Sequence, residues 1–355
     1  MSHSISHRGV RSNPDGRFEN QRRQAFDDGW DHPEDALPPL ATTVMVDATR
    51  TIITRNDSPD IAFDRSINPY RGCEHGCAYC FARPGHSYLG LSPGLDFETK
   101  LFAKPEAARL LERELRKRSY RPAPIAFGTN TDPYQPIEGK WRVMRHCLEV
   151  LRDFNHPLTI VTKGHLITRD LDILAPMAAR RLVHVGISLT TLDRDLCRRL
   201  EPRASVPAAR IRAIRALTEA GIPVTAMVAP IIPMLTDHEL ERILAAAAAA
   251  GASSAIYILL RLPHEVKDLF AQWLGEHRPE RAAHILSLLS QNRHGRLNDP
   301  RFGARMKGHG HHADLLAQRF HLACRKFGLH HKRDWDLDCS QFAPPHQAGD
   351  QLALL

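Results

Sequence analysis

From about Ile52 onward the chain alternates between short apolar runs rich in β-branched residues and longer stretches whose apolar positions recur every three or four residues. The runs at 125–127, 158–161, 183–187, 224–228 and 255–259 have the continuous hydrophobicity of strands buried on both faces. The stretches 105–118, 141–151, 169–179, 207–220 and 237–250 read as amphipathic helices. The first opens on Pro105 and stacks Ala108, Leu111 and Leu115 on one face. Gly221 and Gly251 stand where a helix ends just before a strand. Serial strand-then-helix units imply parallel strands joined by right-handed crossovers, hence an α/β barrel or part of one. Residues 1–50 lack this periodicity in their polar first part and read as a mobile arm or a loosely docked strap. Residues 51–263 form the barrel, 264–340 a helical extension packed on it, and 341–355 an exposed tail.

In such an architecture the carboxyl ends of the strands open into one mouth. Those ends hold Thr129, Asn130, Thr131 and Asp132; Lys163, Gly164 and His165; Ser188, Leu189, Thr190 and Thr191; and Pro230 to Pro233. Capping or turn roles compete with chemistry at Asp132, Thr168 and Asp193. Composition narrows the class. The 355 residues carry 48 basic and 40 acidic side chains, a net charge of +8, with 43% apolar residues, which is globular and neither disordered nor fibrous. Seven cysteines, an odd number, and no apolar leader point away from a secreted disulfide scaffold and toward a cytoplasmic protein. The uncharged run 243–260 approaches membrane-span length, but Gly251, Ala252, Ser253 and Ser254 divide it into a helix end and a strand, so no membrane association is expected. The mild positive balance permits a phosphate-rich partner.

Cys73, Cys77 and Cys80 fall within eight residues, in a loop (68–83) that also holds Gly72, His75, Gly76, Tyr79 and Phe81. Three thiolates this close repel one another unless a metal centre neutralises them. Zinc could recruit His75 as a fourth ligand, giving a non-catalytic, zinc-stabilised nucleic-acid-binding module. A four-iron four-sulfur cluster held by three thiolates would instead keep one iron open for chemistry.

The Cys-x3-Cys-x2-Cys spacing, with Tyr79 before the last cysteine, resembles the signature of the radical S-adenosylmethionine (SAM) superfamily. Together with 128–132 and the segment Leu200, Glu201, Pro202 and Arg203, it is similar to the branch containing spore photoproduct lyase and DNA repair photolyase-related proteins. The resemblance, over roughly 61–263, implies a partial (βα)6 TIM-type barrel and a 4Fe–4S cluster on Cys73, Cys77 and Cys80. It implies S-adenosyl-L-methionine as cofactor and a flavodoxin- or ferredoxin-type one-electron reductant. It further implies a 5′-deoxyadenosyl radical acting on nucleic acid, in DNA repair or nucleotide modification. A small-molecule, protein or tRNA substrate is the alternative. By the same resemblance Asn130, Asp132, Lys163 and Ser188 contact the cofactor's amino-acid and ribose ends, and Tyr79 packs near its adenine. Two departures weaken a copy of the lyase's own chemistry: Phe81 stands where that enzyme has a tyrosine, and the second strand, 125–131, has no cysteine.

Cys147 and Cys197 sit in helical segments and read as buried hydrophobes, leaving Cys339 as a late hydrogen donor or a ligand of some second centre. His309, Gly310, His311 and His312, flanked by Arg293, Arg296, Arg301, Arg305 and Lys307, read as a solvated or phosphate-touching loop more readily than as a metal site. Gln351, Leu352, Ala353, Leu354 and Leu355 resemble the short peptide by which bacterial repair and replication proteins dock on the sliding clamp.

Overall fold

The computed structural model describes residues 8–19, 40–330 and 336–346. Its strands are β1 (Thr43–Val46), β2 (Thr54–Arg55), β3 (Arg65–Ile67), β4 (Tyr70–Arg71), β5 (Lys100–Ala103), β6 (Ile125–Phe127), β7 (Leu158–Thr162), β8 (Val183–Ser188), β9 (Val224–Ile231) and β10 (Ser254–Leu259). One sheet has the order β10-β9-β8-β7-β6-β3-β2. From β3 to β10 every pairing is parallel, and β2 adds an antiparallel edge. These six parallel strands are the expected partial barrel, and all five sequence-predicted strands lie in it.

The helices Ala107–Leu115, Val143–Asp153, Leu171–Ala179, Pro207–Glu219 and Leu240–Ala249 each lead back from one strand end toward the next strand. Their apolar faces join the strands in one core that includes Leu111, Leu148, Ile173, Ile214 and Ile243. The uncharged run 243–260 is helix and then β10, as its glycine and serines foretold. Among the described residues no helix is long and apolar enough to cross a membrane.

Past β10 the chain departs from a simple appended extension. The helix His311–Phe327 packs on β10, with Tyr257 and Phe320 rings 4.8 Å apart, and so takes the outer position of the sixth strand-helix unit. Residues 262–310, with the helices Val266–His277 and Pro279–Gln291, are an insertion before it. They build a second core of Val266, Phe270, Trp273, Leu274, Ile285 and Leu289, against which Cys77, Ala78 and Tyr79 rest. The insertion is therefore the floor of the cysteine loop.

A small sheet, β1-β5-β4, was not evident from periodicity, because β1 is largely exposed and β4 has two residues. It leads the chain into Gly72. Residues 8–19 are a docked strap: Val10 is buried, Asn13 exchanges hydrogen bonds with Asp96 (2.9 and 3.1 Å), and Ser92 Oγ donates to Pro14 O at 2.6 Å. Of the two forms expected for the N-terminal segment, this part adopts the docked one, because backbone N–H groups at 9 and 10 find a buried carboxylate.

Candidate active site

The cysteine loop is shaped by two close approaches. Gly72 (φ 74°) lies where a Cβ would come within 2.5 Å of Leu101 Cδ2, and Gly76 (φ 66°) where it would come within 2.5 Å of Glu98 Oε2. Only glycine combines that backbone with that room. Cys73 N donates to Phe97 O and Ala78 N to Leu200 O, each at 2.9 Å. Gln135, fully buried, accepts from Glu74 N at 2.8 Å and donates to Gly72 O at 3.2 Å. Arg83, also fully buried, donates to the carbonyls of Cys77 (2.9 Å), Gly76 (3.2 Å), Pro93 (3.2 Å) and Gly94 (2.9 Å), and pairs with Glu98 at 2.5 Å. Glu98 in turn accepts from Gly9 N (2.9 Å) and Val10 N (3.2 Å), so one carboxylate ties loop and strap together.

All three cysteines are free thiols; Cys73 and Cys77 are buried and Cys80 is partly so. Burial pushes all three thiols up, and the carboxylates of Asp132 and Glu201 push Cys73 and Cys77 further. Lys163 opposes the rise at Cys77 and Cys80. Thiols held this way gain most from a bound cationic centre, which supplies the charge the protein withholds. The fourth ligand of a zinc site does not join them: His75 is buried with Nδ1 turned to Asp132 Oδ2 at 3.3 Å. Three thiols that find no fourth protein ligand among the described residues fit a cluster with one open iron.

The wall beside Cys77 centres on Glu201, whose carboxylate is buried. It accepts from Tyr79 Oη, from Thr190 Oγ1 at 2.7 Å, and from Arg210, and it faces Lys163 Nζ at 3.6 Å. Burial alone would favour its protonation, but Arg210, Lys163 and the two hydroxyl donors outweigh it and hold Glu201 well below the usual carboxylate range. Lys163 Nζ also lies 3.5 Å from Ala229 O and 5.9 Å from the centre of the Tyr79 ring. It is an inward, mostly buried ammonium with long contacts, not a strand-end surface lysine.

The other candidates divide. Asp132 accepts from Thr162 Oγ1 (2.6 Å), Lys163 N (2.7 Å) and Tyr134 N (2.9 Å) while facing His75, so both its oxygens are engaged in binding the end of β7 to the cysteine loop. Asn130 is exposed on the rim, its N–H held at 3.0 Å by Asn68 Oδ1. Ser188 is buried, and its carbonyl accepts from Arg210 at 3.0 Å. Asp193 caps the helix Arg194–Leu200 through the N–H groups of Asp195 and Leu196. Cys147 is buried in the core, whereas Cys197 lies behind Glu201, 3.5 Å from an Arg210 nitrogen. Cys339 lies at the other end of the barrel, in a turn whose neighbours bond Arg180 and Arg181 just before β8, which removes it as a hydrogen donor at this mouth. The 351–355 tail lies outside the described residues.

Residues that sequence reading passed over as site elements are Asn68, Arg83, Glu98, Gln135 and Arg210, while Thr190 and Glu201 were noted only as a strand-end residue and as part of the segment 200–203, without a role. One carried a visible signal: Arg210 occupies an inward position on a helix face otherwise made of Pro207, Ala213, Ile214 and Leu217. A charge there needs a buried partner.

An uncharacterized protein of Mycobacterium tuberculosis is 41% identical over 222 residues, 62% of this chain; the chain spans 65% of that protein's length. An uncharacterized protein of Methanocaldococcus jannaschii is 29% identical over 173 residues, covering 49% of this chain and 62% of its own length. In structure, spore photoproduct lyase complexed with dinucleoside spore photoproduct superposes with a TM-score of 0.60 at 18% identity, over 81% of this chain and 80% of that one, a likeness of fold. Residues 67–247 match the Radical SAM superfamily. With the three cysteines at the mouth of a six-stranded parallel barrel, the chain belongs to the radical SAM superfamily, whose cofactors are a 4Fe–4S cluster and S-adenosylmethionine.

Proposed function

We propose that this protein is a radical SAM enzyme acting on nucleic acid or a nucleotide-like group, with Cys73, Cys77 and Cys80 holding its cluster. The observation that carries the reading is the cysteine loop clamped by Arg83 and Gln135 beside the Glu201–Lys163–Tyr79 wall. When bound, the cluster and S-adenosylmethionine supply a one-electron reductive cleavage that yields a 5′-deoxyadenosyl radical for hydrogen abstraction.

This chain's residues bind and orient. Lys163 offers its ammonium to the cofactor's carboxylate, a point charge that tolerates the long contacts it now makes. Glu201 faces the Lys163 ammonium and fixes the Tyr79 hydroxyl, so the Tyr79 ring is held against the cysteine loop. Asp132 acts through Thr162 and the Lys163 N–H as a positioning residue, while Asn130 and Ser188 line the rim and wall. The insertion covers the loop from below and keeps water from it.

Support for a nucleic-acid substrate comes from the surface next to Cys80. Phe81 is 45% exposed, with the Arg261 guanidinium 4.9 Å from its ring centre, a face of the kind on which bases stack. Of the cations expected to touch phosphate, Arg293 is buried against the Leu259 and Leu260 carbonyls, Arg301 pairs with Asp299 and Arg305 with Asp60, which leaves Arg296 and Lys307 for that role. Hydrogen return to a product radical must use a donor other than a tyrosine at 81 or a cysteine in β6.

The test is anaerobic reconstitution, reduction with dithionite and assay for 5′-deoxyadenosine. Production that is lost in Cys77→Ala supports the radical chemistry; a protein that binds iron and S-adenosylmethionine yet yields none sinks it. Single-stranded DNA binding that weakens with salt and with Phe81→Ala supports the substrate class. Salt-independent or absent binding returns the substrate to the small-molecule, peptide or tRNA alternatives.

A further inference from the structure

The insertion carries a second cluster of metal-ligating side chains, remote in sequence from the cysteine loop. One ligand atom each from His294, Asp299 and His309 lies within 4.8 Å of the other two. The His309 and His294 rings are 4.5 Å apart, and His309 Nε2 stands 3.8 Å from Asp299 Oδ2. Although the His309 ring is partly exposed, its Nε2 atom is buried and makes no hydrogen bond; Asn298 Oδ1, in the same turn, is likewise buried without one. A buried ring nitrogen that makes no hydrogen bond, facing a carboxylate and a second imidazole, has the donor set that first-row divalent metals take.

We propose that His294, Asp299 and His309 form a binding site for a divalent transition-metal ion of the zinc class, with its remaining coordination positions open to solvent. The distances favour this over a hydrogen-bonded trio. Two bonds of about 2.0–2.1 Å at a tetrahedral angle place donor atoms about 3.4 Å apart. The 3.8 Å separation of His309 Nε2 and Asp299 Oδ2 is close to that value and longer than a hydrogen bond.

The surroundings hold the donors in place. Arg293, fully buried, donates to Leu259 O (2.8 Å), Leu260 O (2.9 Å) and Arg305 O (3.2 Å), and His309 N donates to Asn292 O at 2.8 Å. Both histidines are thus fixed to the end of β10. Asp299 is held by Arg301 through both oxygens (2.7 to 3.2 Å), and this second partner orients the carboxylate as outer hydrogen bonds do at metal sites. His312 is not part of the set, being engaged by Asn292 (3.1 Å) and Asp237 (3.4 Å). The ion cross-links positions 294 and 309 and fixes the intervening arginines at the barrel mouth, whatever substrate that mouth takes.

The experiment equilibrates cluster-loaded protein with zinc chloride, removes loose metal on chelating resin, and counts zinc and iron per chain. One zinc is retained beside an unchanged iron content. His294→Ala, a substitution at an exposed position, and His309→Ala each lower zinc affinity about tenfold or more while iron stays constant. In the wild type, zinc also slows trypsin cleavage after Arg296 and Arg301; in the variants it does not. Zinc retained equally by wild type and His294→Ala, or retained by neither, overturns the site.

Discussion

At the scale of single residues, the chemistry depends on Glu201, since one carboxylate contacts Lys163, Tyr79 and Arg210 together. Removing its charge leaves Arg210 buried beside a neutral amide, a loss of about 3–5 kcal/mol. Glu201→Gln is therefore expected to lower the unfolding midpoint sharply in a denaturant titration. Adding Arg210→Met to the same chain should recover part of it, whereas simple additivity would show the pair is not coupled. Lys163→Met separates binding from folding. A charged hydrogen bond to a carboxylate contributes about 1.5–3 kcal/mol, so S-adenosylmethionine affinity should fall about 10- to 100-fold at unchanged iron content, measured by equilibrium dialysis. An unchanged affinity would move the carboxylate contact elsewhere. The cysteines and Lys163 were legible in the sequence from their spacing and their place at a strand end. Glu201 was visible only as a member of the segment 200–203, and its role was not, because that role lies in four partners drawn from separate elements: Tyr79, Thr190, Lys163 and Arg210.

At the scale of elements, the cysteine loop, the strap and the helix Asp96–Thr99 share one buried ion pair, Arg83 with Glu98. Glu98→Gln weakens the hold on Arg83 and on the N–H groups of Gly9 and Val10 together. The expected result is faster cluster loss on exposure to air and faster trypsin cleavage after Arg8 and Arg11, with barrel circular dichroism retained. Cleavage at the wild-type rate would mean that the strap is secured elsewhere. The amphipathic helices and buried strands were readable because each repeats one physical rule along several turns or a continuous run. The small sheet was not, since β1, β4 and β5 are stabilised by pairing with one another across gaps of up to fifty-odd residues.

At the scale of the whole molecule, the two ends of the barrel serve different ends. The mouth carries the cysteines, while the opposite end carries buried histidines. His156 Nδ1–H donates to Pro157 O (2.9 Å), which leaves Nε2 of the neutral ring to accept from Tyr120 Oη (2.7 Å), and His184 Nε2 shares a hydrogen bond with Thr225 Oγ1 (2.7 Å). Burial pushes both imidazoles down to about 4. The unfolded chain protonates them near 6.5, so between pH 6.5 and about 4 the unfolded state binds more protons and stability falls with falling pH. Each histidine contributes on the order of 3 kcal/mol to that loss. Urea midpoints at pH 7.5 and 5.5 should differ by the first part of that loss, about 1.4 kcal/mol per histidine, and His184→Gln should reduce the difference; an equal drop in that variant would place the acid sensitivity elsewhere.

The sequence by itself determined the class of fold, the succession of barrel strands and helices from β6 to β10, and the loop that carries Cys73, Cys77 and Cys80, because these are set by local periodicity and local spacing. Only the tertiary structure decided that His75 faces Asp132, that Cys339 lies at the far end of the barrel, and that residues 262–310 are an insertion under the cysteine loop while His311–Phe327 closes the sixth unit. Each of these depends on which distant groups become neighbours once the core is buried. Buried charge has to be matched wherever packing places it, and that matching is a property of the assembled barrel and of no segment alone.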